Sequence, residues 1–406
     1  MKPIRVVITG LGVVSAIGNN HQDFWNALSQ GKSGITPIEQ VDCTGMRFNL
    51  GAEVKNCNIN TYFQPKELDW LDRFAQFALI AAQDAIEDAK IENQIANART
   101  AIVTGSSVGG RNTEEKAYYR IYGQKNTRIH PNCIPNSMTN AGASHIALKF
   151  NITGPVFTIS TACASSTQAI GHAFWLIRQG IVCRAIAGGS EAPFTEVHLR
   201  AWDSLRVVSS DTCRPFSNNR SGMILGEGGA MIILESLESA ERRGAPIYAE
   251  IIGFGMSSDA SHLTKPNSLG QCQAILNALH DANLAPEAVN YINAHGTGTI
   301  LNDEVESKTI NTIFPKAKNH LLVSSTKSSH GHLLGATGAL ETIATVLSLK
   351  HKTIPPTINF LEKANDCDLP LVTNQAYQHE IDYALCSSFA FGGLNAVLAL
   401  RHYSSS

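Results

Sequence analysis

Val6-Val-Ile-Thr-Gly10-Leu-Gly12-Val-Val-Ser15 returns, weakly but in order, as Ala249-Glu-Ile-Ile-Gly253-Phe-Gly255-Met-Ser-Ser258. Two further echoes follow in the same order. Phe157-Thr-Ile-Ser-Thr161 pairs with Leu322-Val-Ser-Ser-Thr326, and Gly228-Gly-Ala-Met-Ile-Ile-Leu234 with Gly392-Gly-Leu-Asn-Ala-Val-Leu398. The interval from Thr161 to Gly228 nearly equals that from Thr326 to Gly392. Chance does not keep both order and spacing, so the chain reads as two copies of one α/β unit with a boundary near Arg243–Ala249. The halves are then 1–245 and 246–406, the first carrying an insertion over roughly 18–151.

Local patterns support this class. Phe74, Phe77, Ala78, Ala81, Ala82 and Ala85 make a helical stripe between Asp72 and Asp88. Val156–Ser160 and Ile232–Leu234 read as buried strands, and alternation of such elements predicts sheets layered between helices. The first strand is expected to end in a glycine turn at Gly10.

Bulk composition narrows the function. Of 406 residues, 43 % are apolar and 16 % charged, a globular balance. Net charge is −2 with no dense basic run, which speaks against nucleic acid or an anionic membrane as partner. Nine cysteines, an odd number without C-x-x-C spacing, predict free thiols in a reducing compartment and a cytoplasmic location. Asn151–Ile177 lacks any charged residue, but Gly154-Pro155 and its serines and threonines make it a strand and helix buried in protein rather than a membrane span.

Gly10-x-Gly12-x-x-Ser15 approaches a dinucleotide fingerprint. It lacks the third Gly or Ala and the acid about 20 positions on, so NAD is not expected and the glycines read as a turn of the repeat.

The polar residues of interest gather in four segments: Thr161-Ala-Cys163-Ala-Ser-Ser166, Asn293-Ala-His295-Gly-Thr297-Gly-Thr299, Ser325-Thr-Lys327-Ser-Ser-His330-Gly-His332 and Ser388-Phe-Ala-Phe391-Gly-Gly-Leu-Asn395. Cys163 stands between an apolar run and a helical stripe of Ile170, Phe174 and Ile177. A helix N-terminus there favours thiolate, while the competing reading is an inert buried cysteine. His295 opens a Gly/Thr turn and His332 opens a small-residue helical segment; the competing readings are a satisfied loop histidine for His295 and a helix-capping one for His332. In a pseudo-symmetric duplicate the matching strand ends face each other, which brings Lys327 and His332 towards Cys163. A Cys with two His, and His330-x-His332, also resembles a zinc set, but no acidic or second Cys ligand stands nearby, so no metal is expected.

Together these segments resemble the elongating β-ketoacyl–acyl carrier protein synthases of the thiolase superfamily over essentially the whole chain. The motifs are T-A-C-A-S-S, N-A-H-G-T-G-T, S-S-T-K-x-x-x-G-H-L-L-G-A-x-G-A-x-E and F-x-F-G-G-x-N. The resemblance implies a thiolase-like five-layer αβαβα fold and a decarboxylative condensation of malonyl and acyl thioesters carried on acyl carrier protein. No resident cofactor is implied, and a homodimer is. Cys163 would hold the acyl chain, while His295 and His332 would stabilise the enolate. Lys327 would orient the site with Glu341 as its acid. Thr297 and Thr299 would hold the phosphopantetheine arm. The N–H groups of Cys163 and Phe391 would form an oxyanion hole, Phe391 would also act as gate, and Arg206 would touch the carrier.

Some residues depart from the housekeeping pattern. Asn302-Asp303 replaces a Gly-Asp pair, Ala390 and Leu394 replace Gly and Thr, and Leu68-Asp-Trp-Leu-Asp72 replaces a basic docking run. With Trp202 and Asp211-x-Cys-Arg214, these look more like the nodulation-type and specialised-lipid or polyketide branch and suggest a dedicated carrier. Alternatives are a coenzyme A-dependent thiolase-like or starter-unit enzyme, or a non-catalytic partner subunit. Two histidines argue against the first, and an intact Cys163 against the second.

Overall fold

The computed structural model describes residues 3–96, 99–315 and 320–404. Ten strands carry the fold: β1 (Val6–Val14), β2 (Thr100–Gly105), β3 (Val156–Ile159), β4 (Arg184–Glu191), β5 (Gly228–Ser236), β6 (Ala249–Ser258), β7 (Tyr291–Asn293), β8 (Leu322–Ser324), β9 (Tyr383–Ala390) and β10 (Leu394–His402). Hydrogen bonds join them in the order β8-β7-β9-β10-β6-β1-β5-β4-β2-β3. Each half has the same path. β2 lies parallel to β3 and β4, and β5 runs antiparallel to β4 and β1. Likewise β7 lies parallel to β8 and β9, and β10 runs antiparallel to β9 and β6. The halves meet where Val6, Val7 and Ile8 pair antiparallel with Ile251, Glu250 and Ala249.

The helices place the layers. α1 (Arg73–Asp88) packs on β1, β4 and β5, outside the first half. α4 (Ser268–Asp281) packs on β6 and β10, outside the second, beside α5 (Ile300–Ile313). Between the halves lie α2 (Ser165–Arg178) and α7 (Thr337–His351), which touch each other and strands of both halves. The result is the expected five-layer αβαβα arrangement. The central helix α7 is buried on every side from Thr337 to Leu349. It tolerates polar residues there because the Thr342, Thr345 and Ser348 hydroxyls donate to the carbonyls four residues back.

Three expectations change. The first strand does not turn at Gly10 but runs on to Val14. The glycines serve close helix approach instead. A Cβ at Gly10 would lie 2.2 Å from the Ala85 carbonyl oxygen, and one at Gly12 1.8 Å from that of Ala81. Their echoes meet α4 in the same way, Gly253 at 2.5 Å from Ala278 O and Gly255 at 2.2 Å from Ala274 O. The dinucleotide-like spelling is therefore a strand–helix packing signature, kept in both halves. Secondly, β3 is not a buried strand but the edge of the sheet, with Phe157 exposed. Thirdly, the unmatched stretch 18–151 contains α1 and β2, the counterparts of α4 and β7. The extra chain of the first half lies mainly before α1 and between β2 and β3.

Candidate active site

Cys163 sits on the elbow between β3 and α2. The turn is made at Ala162, whose φ of +49° is left-handed without being glycine, a conformation that costs about 1–3 kcal/mol and survives only where the surroundings enforce it. Here the Ser165 hydroxyl donates to the Ala162 carbonyl at 2.6 Å and accepts the Thr161 N–H at 2.9 Å. The elbow presents the sulfur to the floor of a cavity of about 320 Å³. The main chain at Phe391 and at Cys163 itself favours the charged form of the sulfur.

Burial pushes the thiol up to about 11, outweighing the Lys327 charge and these main-chain groups, which pull it down. The helix-terminus preference for thiolate is thus outweighed by burial, and in the free site Cys163 is a thiol.

His295 follows β7. Its N–H and that of Gly296 each donate to the Glu306 carboxylate at 2.7 Å, and Gly298 N–H reaches Asp303 at 3.3 Å. Asp303 also accepts the Phe216 N–H at 2.8 Å. Two buried carboxylates three positions apart on α5 therefore hold the histidine loop. Sequence reasoning missed Glu306 as a site-forming residue. The available signal was the Asp303-x-x-Glu306 spacing just after the Gly/Thr turn, which places both acids on one helix face.

His332 lies ahead of α7 rather than on it. Its Nδ1 accepts the Leu334 N–H at 3.1 Å and lies 2.8 Å from the Thr337 hydroxyl. The capping reading is therefore correct for one nitrogen, and it leaves the proton on the other, Nε2. One nitrogen of each histidine and the Cys163 sulfur lie within 4.8 Å of one another. The rings stand nearly perpendicular, at 84° with centroids 5.4 Å apart. Burial first, then the Lys327 charge, hold both imidazoles well below the usual histidine range, so both are neutral at pH 7.

Lys327 opens α6 (Lys327–His330) and is fully buried, its Nζ 2.5 Å from Glu341 Oε1 on α7. His330 does not join the cluster: its nitrogens contact Gly331 O at 2.8 Å and the Thr326 hydroxyl at 2.9 Å. Thr297 and Thr299 line the cavity wall and hydrogen-bond each other at 2.8 Å. Phe391 also lines the cavity, followed by Gly392 and Gly393 at φ +82° and +68°, a left-handed pair that glycine adopts freely. Arg206 caps the helix α3 (Glu196–Leu205) at the cavity mouth, itself left-handed at φ +57°. Asp72, in the segment replacing a basic run, is no surface charge: it caps α1 and accepts the Thr113 N–H and hydroxyl at 2.7 Å.

Cys163, His295 and His332 are close enough to invite a zinc comparison. The Lys327 charge beside them, which lowers both histidines, suits an anion there better than a dication. Chemically the cavity offers a soft nucleophile, donors for a developing oxyanion and neutral imidazoles, the parts of acyl transfer through a covalent thioester.

Comparison with known proteins bears on this geometry. The Beta-ketoacyl synthase N-terminal domain matches residues 4–240 and the Beta-ketoacyl synthase C-terminal domain residues 248–361. The chain is 39 % identical to a 3-oxoacyl-[acyl-carrier-protein] synthase 2 of Staphylococcus aureus, over 98 % of this chain and 99 % of that protein. It is 41 % identical to the protein of the same name from Coxiella burnetii, with the same coverage. Among solved structures, the ishigamide ketosynthase/chain length factor superposes with a TM-score of 0.95 at 34 % identity, over 99 % of this chain and 100 % of that one. A type II PKS acyl-carrier protein in complex with its ketosynthase bound to the hexaketide gives 0.90 at 33 %, with the same coverage.

Proposed function

The chain belongs to the β-ketoacyl synthase family, and from that premise we propose how its cavity divides the work of condensation. The protein is a 3-oxoacyl-[acyl-carrier-protein] synthase, an acyltransferase-class condensing enzyme.

In the first stage Cys163 Sγ attacks the carbonyl carbon of an acyl thioester. The C–S bond to the carrier breaks, and the thiol proton leaves with the carrier's sulfur. Because the resting thiol is pushed up to about 11, deprotonation is coupled to attack, with a neutral imidazole beside it as relay. In the second stage a malonyl thioester loses CO₂. His332 Nε2–H, and a nitrogen of His295, donate to the thioester oxygen as enolate charge develops. The enolate carbon attacks the acyl carbonyl, whose oxygen is held by the Cys163 and Phe391 N–H groups, and Cys163 departs as leaving group. Neutral rings suit this role, since an imidazolium would quench the carbanion. Lys327 and Glu341 act as a positioning pair behind the sulfur and rings. Thr297 and Thr299 hold the pantetheine arm, so the reading assigns no resident cofactor.

At the cavity mouth, Leu205, Leu263, Ile300 and Leu301 are exposed beside Arg206 and Lys265. An apolar rim with two cations fits an acyl carrier protein with an apolar face and few acids around its arm. The open edge of β3, with Phe157, and the exposed Ile134, Met138 and Leu148 on the chain leading into it, support pairing with a second copy. No described helix is long and apolar enough to cross a membrane, and the free cysteines support a cytoplasmic setting.

The convergence of Cys163 with two neutral histidines on one cavity floor carries this reading. Mass spectrometry after incubation with acyl carrier protein tests it. Cys163 should gain the acyl mass and Cys163→Ala should not. His332→Ala should still acylate but fail to release CO₂ from malonyl thioester. Acylation that persists in Cys163→Ala, or normal condensation by His332→Ala, overturns it.

A further inference from the structure

Trp202, on α3, lines the catalytic cavity and stacks on Phe391, ring centroids 6.1 Å apart and planes 25° off parallel. Its indole N–H donates to His198 Nε2, one helical turn back, at 2.9 Å. The base of this arrangement is held by hydrogen bonds to a neighbouring segment. The N–H groups of Glu196 and Val197 both donate to the Glu115 carboxylate at 2.9 Å, and Asn112 Nδ2 donates to Ala192 O at 3.0 Å. A second cavity of about 390 Å³, lined by Arg47, Phe48 and Asp203, also borders Trp202, which with Arg206 and Ser221 lies between the two spaces. A large ring with room on both sides keeps one orientation only if something holds it. Burial and the neighbouring Arg111 charge push His198 down to about 4, which keeps it neutral and able to accept.

The Phe391 loop complements this. Gly392 N–H is fixed to Leu263 O at 2.7 Å and Asp259 N–H to Gly393 O at 2.8 Å. The backbone is thereby tied through main-chain bonds, whereas the Phe391 ring has Trp202 as its stacked neighbour.

We propose that His198 and Trp202 are positioning residues that hold the Phe391 ring across the approach to Cys163, so that the pair sets the ease of acyl entry and leaves the later decarboxylation alone. This rests on the reading of Cys163 as acyl acceptor with Phe391 as its gate. An arriving acyl chain must move Phe391 off the indole. Loss of one stacked aromatic contact corresponds to about a two- to tenfold change in a rate that requires its opening.

The test compares Trp202→Ala, His198→Phe and His198→Gln with wild type by three readouts. These are carboxamidomethylation of the Cys163 peptide by iodoacetamide without substrate, single-turnover acylation from acyl carrier protein, and CO₂ release from malonyl thioester by enzyme already acylated. Trp202→Ala and His198→Phe should label Cys163 about two- to tenfold faster and alter the acylation rate, with CO₂ release within about twofold of wild type. His198→Gln, whose amide oxygen can still accept the indole N–H, should return towards the wild-type labelling rate. The proposal is overturned if Gln and Phe at 198 behave alike, if labelling does not change, or if acylation and CO₂ release fall together. Should Trp202→Ala not fold, the two His198 variants decide alone. Failure of wild type to be acylated at all would refute the functional reading instead, while labelling still reports on the gate.

Discussion

Replacing Lys327 by methionine removes one member of a buried ion pair and leaves the other stranded. Nζ and Oε1 are 2.5 Å apart and both side chains are wholly inaccessible. At an effective dielectric of about 20, two unit charges at that distance attract by roughly 7 kcal/mol, most of which offsets a desolvation cost of several kcal/mol per ion. The intact pair is therefore near neutral for stability, while Lys327→Met should cost about 3–5 kcal/mol. Glu341 has no escape to other donors, since its second oxygen lacks a partner already. Its escape is protonation. Burial pushes this carboxyl up, and the Lys327 charge that opposes the rise is gone in the variant. A carboxyl whose folded pKa is raised must stay neutral, so the cost is absent below its unfolded pKa and grows by about 1.4 kcal/mol per pH unit up to the raised one. Because wild-type Glu341 is itself raised to about 7, urea titrations at pH 7, 8 and 9 should show Lys327→Met losing progressively more stability than wild type. Lys327→Met/Glu341→Gln should regain most of it at every pH yet remain slow in single-turnover condensation, because the charge beside Cys163 and the rings is still missing. A deficit independent of pH, or a double variant as unstable as the single, refutes this account of the pair.

Three other outcomes follow. Alkylation of Cys163 in the free enzyme should rise about tenfold per pH unit from pH 7 to 10, as expected for a thiol near 11; a plateau below pH 8 would mean a preformed thiolate. Gly12→Ala should destabilise by about 1–3 kcal/mol in chemical denaturation, because its Cβ meets main chain at 1.8 Å, and Gly255→Ala should do the same in the other half; an unchanged midpoint would refute the packing role. Arg206→Ala should raise the KM for carrier about two- to fivefold with little change in kcat and flatten its salt dependence, which steady-state kinetics at two ionic strengths will check.

The duplication was legible because it is written in local patterns: paired glycines, apolar runs and a conserved interval between them. The position of Cys163 between a strand and a helix was legible too, since both flanking patterns are short-range. So was the His198-x-x-x-Trp202 spacing, had it been sought. What the glycines do was not, because the carbonyl that excludes a side chain at Gly12 belongs to Ala81 on another element.

Sequence by itself determined the fold class and singled out Cys163 and the four segments that gather at the cavity, since motifs and periodicity are properties of neighbouring residues. Only the tertiary structure decided their chemical state. Cys163 rests as a thiol, both histidines are neutral, His330 is turned away, and Trp202 leans on a phenylalanine 189 positions further along the chain. Desolvation and stacking depend on atoms gathered from distant parts of the chain, and these are in place only once it has folded.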